Sequence, residues 1–535
     1  MTLRNFSFSL AALAVFAFTT GTVRAGLKLP AIVGDNMVLQ RDLELPIWGW
    51  ANPGAMVSVE IAGQNLAGAA DENGRWEVKL KPLSISDHAL RMTIRAGDET
   101  RVLTNILVGE VWLCSGQSNM QWPLGSAYDA DLEIATANFP NMRLITVPQT
   151  GTQELQDDFD GRWEPVTPET APDFTAVGYL FGRQLHQTLG VPVGLIDNAW
   201  GGSAAEAWVR RDVLEQDGRF NDYLEEWKRT EATYDHDATL AKWKTAMEAW
   251  KKNADKLKAE GKPAPNPPRQ PQNPLTGQHR PGNLFAGVLH PVLGYGIRGA
   301  IWYQGETNAP RGWNYRDLFP KMIGHWREEW GQGDFPFYWV QLADFKAENP
   351  EPGDSDWAEL RESQTLTQDL IPNGGQAVIY DIGEGRDIHP RDKQNVARRL
   401  ARLALAKDYG MAIPADSPRF EKLEIAGNKA VLTFRDVGSQ LYAFDETEPK
   451  GFAIAGEDRK WVWATAKIVG RDKVEVSSDA VPAPVAVRYA WADNPVATLE
   501  SREGLPVTPF RTDDWPLITG PQPEAAAPAE NAKPQ

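Results

Sequence analysis

The chain has one cysteine in 535 residues, Cys114, and only seven histidines. A lone cysteine excludes an intrachain disulfide, and its place at the end of an apolar run marks it as a buried thiol. No cluster of His, Cys and carboxylates occurs at ligand spacing, so no metal and no cofactor is expected. Basic residues are in deficit, with 55 Lys and Arg against 72 Asp and Glu and a net charge of −17. Phosphate backbones are held by basic patches, so nucleic acid is excluded as an expected partner. Long hydrophobic runs are missing too. The apolar run at 10–18 falls short of the roughly 18 residues a membrane span needs, and no later run reaches it. Arg4 precedes this run and Val23-Arg24-Ala25 follows it. Residues 1–25 are therefore expected to be an export signal, with the mature protein periplasmic or secreted and without a membrane span.

The apolar and charged fractions, 42% and 24%, are those of a folded protein, and the length implies more than one core. Residues 26–107 read as a small β-sandwich: Leu90, Met92 and Ile94 alternate with Arg91, Thr93 and Arg95, and Asn52-Pro53-Gly54 and Glu72-Asn73-Gly74 are turns. Between 108 and 410 the style changes. Apolar runs at 106–113, 193–196, 300–303, 337–342 and 377–380 alternate with helical stretches such as 174–189 and the one marked by Val396, Leu400 and Leu403. Strand–helix alternation implies a parallel sheet wrapped by helices. Residues 411–516 return to β style, and the two β regions are expected to pack together. The Ala/Pro/Glu-rich tail 517–535 is expected to be disordered. An insertion at about 215–280 carries Trp243, Met247, Trp250, Ala254 and Leu257 on one helical stripe, followed by six prolines between 263 and 274. The helical excursion 219–259 is expected to pack back on the body, an oligomer contact being the alternative. Oligomeric state is not legible in the sequence.

Residues 114–122 read Cys-Ser-Gly-Gln-Ser-Asn-Met-Gln-Trp. Ser118 stands where a strand hands over to a helix, with its hydroxyl open to substrate and its N–H at the same spot. The same loop would serve as an ordinary helix cap, and Ser115 offers a competing hydroxyl. Two distant segments turn the reading toward chemistry: Trp302-Tyr303-Gln304-Gly305-Glu306-Thr307-Asn308 and Asp387-Ile388-His389-Pro390. A serine hydroxyl needs a base. His88, His186, His236, His279, His290 and His325 all have easy structural roles. His389 instead lies on the Gly-rich loop 383–390, after a strand and before a helix, where α/β sheets place their sites. Asp387 is the natural orienter of its imidazole. Oxyanion donors are expected from Ser118 N–H, from Gly202 N–H with Gly201 next, and from the Gln304 amide, with Asn308 as fallback. Glu306 reads as a hydrogen-bond acceptor, not a second acid. Trp is abundant at 21 residues, and Trp122, Trp200, Trp208, Trp302 and Trp313 lie beside the motifs. Sugar C–H faces pack on aromatic rings, so Trp122, Trp200 and Trp302 are candidate substrate contacts, and Asn308 is a candidate polar one.

These segments resemble the sialate O-acetylesterase family of SGNH-type serine hydrolases, with matches at 116–122, 200–203 (Trp-Gly-Gly-Ser), 302–308 and 387–390 in the family's order. The resemblance implies an α/β fold, an SGNH-hydrolase-like three-layer parallel sheet with flanking β-sandwich regions. It points to Ser118 over Ser115, because the family motif carries its nucleophile in Gln-Ser-Asn, and it strengthens His389 as base. Related hydrolases commonly place Asp three residues before His, whereas the gap here is two, so Asp381 and Glu384 stay open beside Asp387. The residues alone imply a serine hydrolase; the resemblance implies acetyl esters on a carbohydrate. Alternative readings are an acetylesterase acting on xylan or xyloglucan, and a non-catalytic glycan-binding protein.

Overall fold

The computed structural model describes residues 26–521. The expected export signal and the residues from 522 onward lie outside the described residues. Six parallel strands form the centre: β1 (Glu99–Gly116), β2 (Phe139–Thr146), β3 (Val193–Asp197), β4 (Gly299–Tyr303), β5 (Phe337–Val340) and β6 (Gly374–Ala377), in the order β2-β3-β1-β4-β5-β6. The last residues of β1, from Val108 to Gly116, are all buried, because both sheet faces are covered. Helices α2 (Ala176–Leu189) and α7 (Lys393–Lys407) cover one face, through Val177, Phe181, Leu185, Val396 and Leu400 against Trp112, Cys114 and Ile301. Helices α5 (Gly312–Trp330) and α6 (Asp356–Thr367) cover the other, through Phe319, Met322, Trp326 and Leu360 against Leu113, Trp302 and Trp339. The chain leaves β1 toward one edge and later toward the other, so the carboxyl end of β1 is the topological switch point where open α/β sheets open a crevice.

The N-terminal β region joins this core without a linker. Its antiparallel pairing with Ser86–Ala96 uses the first part of β1, and the same strand runs on into the parallel sheet. Its side chains share one apolar core with the α5/α6 face. The C-terminal β region has a separate core around Leu432, Phe434, Phe452, Val487 and Tyr489. The expectation that the two β regions form one unit is therefore corrected: each packs on a different part of the α/β body.

Two further expectations change. The excursion 219–259 packs back on the body in its first part, where α3 (Asn221–Thr233) buries Tyr223 and Leu224 in the core, but the Trp243–Leu257 stripe of α4 (His236–Ala259) does not, and no residue of α4 is fully buried. The stripe lies against the proline-rich return segment. Trp243 Nε1 donates to Pro268 O at 3.0 Å and Trp250 Nε1 to Pro265 O at 2.8 Å. Prolines expose carbonyls without competing N–H donors, so a helix of large aromatics and an extended proline segment satisfy each other. The tail boundary also moves. Leu517 is buried, and Ile518 N–H and Thr519 N–H donate to the Glu359 carboxylate at 2.7 and 2.9 Å. Residues 517–519 thus dock on α6.

Candidate active site

At the end of β1 the chain must turn sharply into α1 (Ser118–Gln121). Gly116 makes this possible. Its φ is +139°, and a Cβ there would lie 2.2 Å from the Tyr303 carbonyl of the neighbouring strand. The backbone pairing continues past the turn, with Gln117 N–H donating to Tyr303 O at 2.9 Å. Gln117 is the residue that caps α1, and no side chain bonds the helix end. Ser118 is therefore not a helix cap. Its Oγ lies 2.9 Å from His389 Nε2, across 271 residues of sequence. Ser115 is fully buried within β1, and its Oγ has no hydrogen-bond partner among the described residues.

His389 sits between β6 and α7 on the expected loop. Its Nδ1 lies 3.3 Å from Asp387 Oδ1, which also accepts the His389 backbone N–H at 3.0 Å. The two other carboxylates are committed elsewhere. Asp381 forms a two-point ion pair with Arg399 at 2.6 Å, and Glu384 accepts from the Arg391 backbone and guanidinium at 3.0 Å. The two-residue gap thus still brings Asp387 to the imidazole. Burial lowers the proton affinity of His389 below the usual histidine range; Asp387 opposes this and the Lys393 ammonium reinforces it. The indole of Trp122 stacks on the imidazole, with centroids 4.9 Å apart and planes at 18°.

The loop after β3 closes the site from the other side. Gly201 lies against Ser118: a Cβ there would come within 3.4 Å of Ser118 Cβ. Gly201 N–H donates to Gln121 Oε1 at 2.8 Å and is occupied. Gly202, with φ +71°, has no acceptor for its N–H among the described residues. Ser118 N–H opens α1 and has no acceptor within the helix.

The motif 302–308 departs from expectation. Gln304 is fully buried; its NH2 donates to Ser203 O at 3.1 Å and Asn308 Oδ1 at 2.7 Å, and its carbonyl accepts from Tyr315 OH at 2.9 Å. With both hydrogens used, the amide braces the loop and is not free for an oxyanion. Asn308 is buried too, donating to Glu206 Oε2 at 2.9 Å, so it touches no solvent-side ligand. Trp302 is wholly buried among Trp208, Phe319, Trp326 and Phe337. Both are corrected from substrate contacts to core residues. Trp200 is half-buried beside the Gly201-Gly202 turn, and Trp122 is half-buried with one face against His389.

Sequence reasoning missed Lys393, whose ammonium is wholly buried next to the site and donates to Asn119 Oδ1 at 2.6 Å. Its signal was available: a lysine in the first turn of a helix opposes the helix dipole. Cys114 is buried against α2, and burial pushes its thiol well above the ordinary range. Among the described residues no group of three or more His, Cys, Asp or Glu is arranged to hold a metal ion, and no helix is long and apolar enough to cross a membrane.

The arrangement is a hydroxyl bonded to an imidazole that a carboxylate faces, with a backbone N–H at Ser118 itself and another at Gly202 on the adjoining loop that have no acceptor among the described residues. Such a set can transfer an acyl group through a covalent intermediate. No family model matches the chain. It is 30% identical to the rat (Rattus norvegicus) sialate O-acetylesterase, over 91% of its own length and 94% of the relative's. It is 29% identical to the mouse (Mus musculus) sialate O-acetylesterase, over 93% and 96% of the two chains. Among solved structures, a carbohydrate acetylesterase from Xanthomonas citri matches with 38% identity and a TM-score of 0.77, covering 92% of this chain and all of that one.

Proposed function

The chain belongs to the sialate O-acetylesterase family, and from that premise we propose that it hydrolyses acetyl esters on sugars with Ser118 as nucleophile, His389 as base and Asp387 as orienter. The observation that carries this reading is the 2.9 Å contact between Ser118 Oγ and His389 Nε2. The α/β core with its β-sandwich flanks is of the SGNH-hydrolase kind. Ser118 Oγ attacks the acetyl carbonyl while its proton passes to His389 Nε2. The tetrahedral oxyanion is held by Ser118 N–H and Gly202 N–H, the donors left without partners. His389 then protonates the departing sugar hydroxyl, leaving an acetyl ester on Ser118. Water, deprotonated by the same imidazole, releases acetate and restores the serine. Asp387 accepts from Nδ1–H and so keeps Nε2 free as acceptor. Burial favours the neutral imidazole, the form a base needs. The same reading has residues 1–25 directing export, so that the enzyme meets acetylated glycans outside the cytoplasm.

The test is acetate release from O-acetylated sialic acid, acetylated xylan and acetylated xyloglucan by the full chain and by Ser118→Ala. Release from the sialic acid substrate, abolished in the variant, is expected. Release from xylan or xyloglucan alone would move the substrate to hemicellulose, and release from none would leave a glycan-binding protein.

A further inference from the structure

Directly beneath the Ser118–His389 pair lies a buried polar cluster that this chemistry does not use. Lys393, the first residue of α7, has no solvent exposure. Its Nζ donates to Asn119 Oδ1 at 2.6 Å and lies over the rings of Trp122 and Tyr303, 5.7 and 5.3 Å from their centroids. Asn119 follows the nucleophile and is itself buried. Its Nδ2 donates twice, to Glu306 Oε1 at 2.6 Å and to the Ile388 carbonyl at 2.9 Å. Ile388 immediately precedes His389. One amide therefore ties the nucleophile turn to the turn after β4, to α7 and to the base loop.

Resting on the reading of Ser118 and His389 given above, we propose that Lys393, Asn119 and Glu306 form a positioning bridge that sets the base loop against the nucleophile turn. The hydrogen-bond inventory supports it. Asn119 has two hydrogens, both spent on separate elements, and its oxygen receives an ammonium, so the amide has a single orientation. A loop carbonyl held this way fixes the backbone one residue before the imidazole. The charges support it as well. A buried ammonium is costly without partners, and an apolar residue would fill the space at less cost. Carboxylates face Lys393 from each neighbouring element: Glu306 after β4, Glu384 and Asp387 on the base loop, and Asp392 at the start of α7. Burial still brings the lysine down to about 7, and burial raises Glu306. In the acid range where His389 titrates, Lys393 is charged and repels a proton on the imidazole.

The experiment measures kcat and KM for a small acetyl ester across pH in the full chain, in Asn119→Ala and in Lys393→Met, with folding followed by circular dichroism. It also titrates His389 by NMR in the Ser118→Ala background, with and without Lys393→Met. Asn119→Ala is expected to lower kcat about tenfold to hundredfold with KM little changed, the size of a small misplacement of reacting groups. Lys393→Met is expected to move the His389 titration to higher pH, in the rate profile and in the NMR titration alike. A space-filling role alone would leave that titration in place. Should Lys393→Met not fold, Glu306 decides: Glu306→Gln keeps an acceptor for Asn119 and should retain most of kcat, whereas Glu306→Leu should lose it. Wild-type kcat in Asn119→Ala, an unmoved His389 titration, or equal behaviour of the two Glu306 variants would overturn the bridge. If Ser118→Ala itself remains active, the Ser–His reading is what fails, and the NMR titration still reports on the bridge.

Discussion

Ser118→Ala removes the hydroxyl within reach of His389 Nε2, and its loss should lower turnover of a small acetyl ester by about 10⁴-fold or more. The thermal unfolding midpoint should stay close to that of the parent, because the hydroxyl bonds no backbone. Ser115→Ala serves as the control, since Ser115 is sealed inside β1; inactivity in that variant with activity kept in Ser118→Ala would reverse the assignment. The pH profile follows from the imidazole. Catalysis needs it neutral, and burial lowers its proton affinity below the ordinary 6.5. The rate should therefore rise with pH through an apparent pKa shifted down from the ordinary histidine value, and a profile without a limb in the histidine range counts against His389 as base. Asp387 faces Nδ1 at 3.3 Å with a carboxylate 55% exposed. Asp387→Asn should cost about 10²-fold, the lower end of the range for a buried orienter. A loss under about tenfold would mean a Ser–His dyad, as neither Asp381 nor Glu384 is free to substitute.

Elements place these residues through close backbone approaches. Gly116→Ala would press a Cβ into the Tyr303 carbonyl at 2.2 Å while holding a φ that L-residues avoid. The strand-to-helix turn should shift, with a stability loss of about 2 kcal/mol or more in urea unfolding and a lower kcat. A neutral outcome would show that the turn has slack. The excursion α3–α4 behaves in the opposite way. Among the described residues its Trp243 and Trp250 bond the proline segment, so Trp250→Ala should loosen that pairing, visible as faster proteolysis between 236 and 274, and leave the esterase rate nearly unchanged. A large drop in rate would tie the excursion to the site. Strand and helix existence was legible here because alternation and three-to-four spacing are local patterns. What the stripe packs against was not, since helical spacing states that a face is apolar and is silent on what covers it.

Across the molecule, Arg361 joins the α/β body to the C-terminal β region. It is wholly buried and donates to the carbonyls of Leu342, Ala343, Ala492 and Asp493 at 2.6–3.1 Å. Burial brings it down only to about 10, so it stays charged at neutral pH. Arg361→Ala leaves these carbonyls without their shared donor and should destabilise the chain by about 3 kcal/mol or more. Differential scanning calorimetry should show the loss, and an unchanged thermogram would mean that the remaining contacts between the two parts, such as Arg488–Asp354, Arg511–Glu362 and Arg419–Asp369, hold them without Arg361.

The sequence by itself determined which residues are exceptional: a serine after a strand-ending glycine, a histidine on a glycine-rich loop, two glycines after β3, and an excess of acidic over basic residues. These depend on residue type and on neighbours a few positions away. Tertiary structure alone decided which partners those residues have. Ser118 and His389 are 271 residues apart, and no local pattern states their distance. Gln304 and Gly202 both read as oxyanion donors, yet Gln304 has spent its hydrogens on Ser203 and Asn308 and Gly202 has not. Trp302 and Trp122 read alike beside their motifs, yet one is sealed in the core and the other lies on the base. A donor is free, or a ring exposed, only relative to what the rest of the chain brings to it, and that is settled when the loops after β1, β3, β4 and β6 meet at the carboxyl end of the sheet.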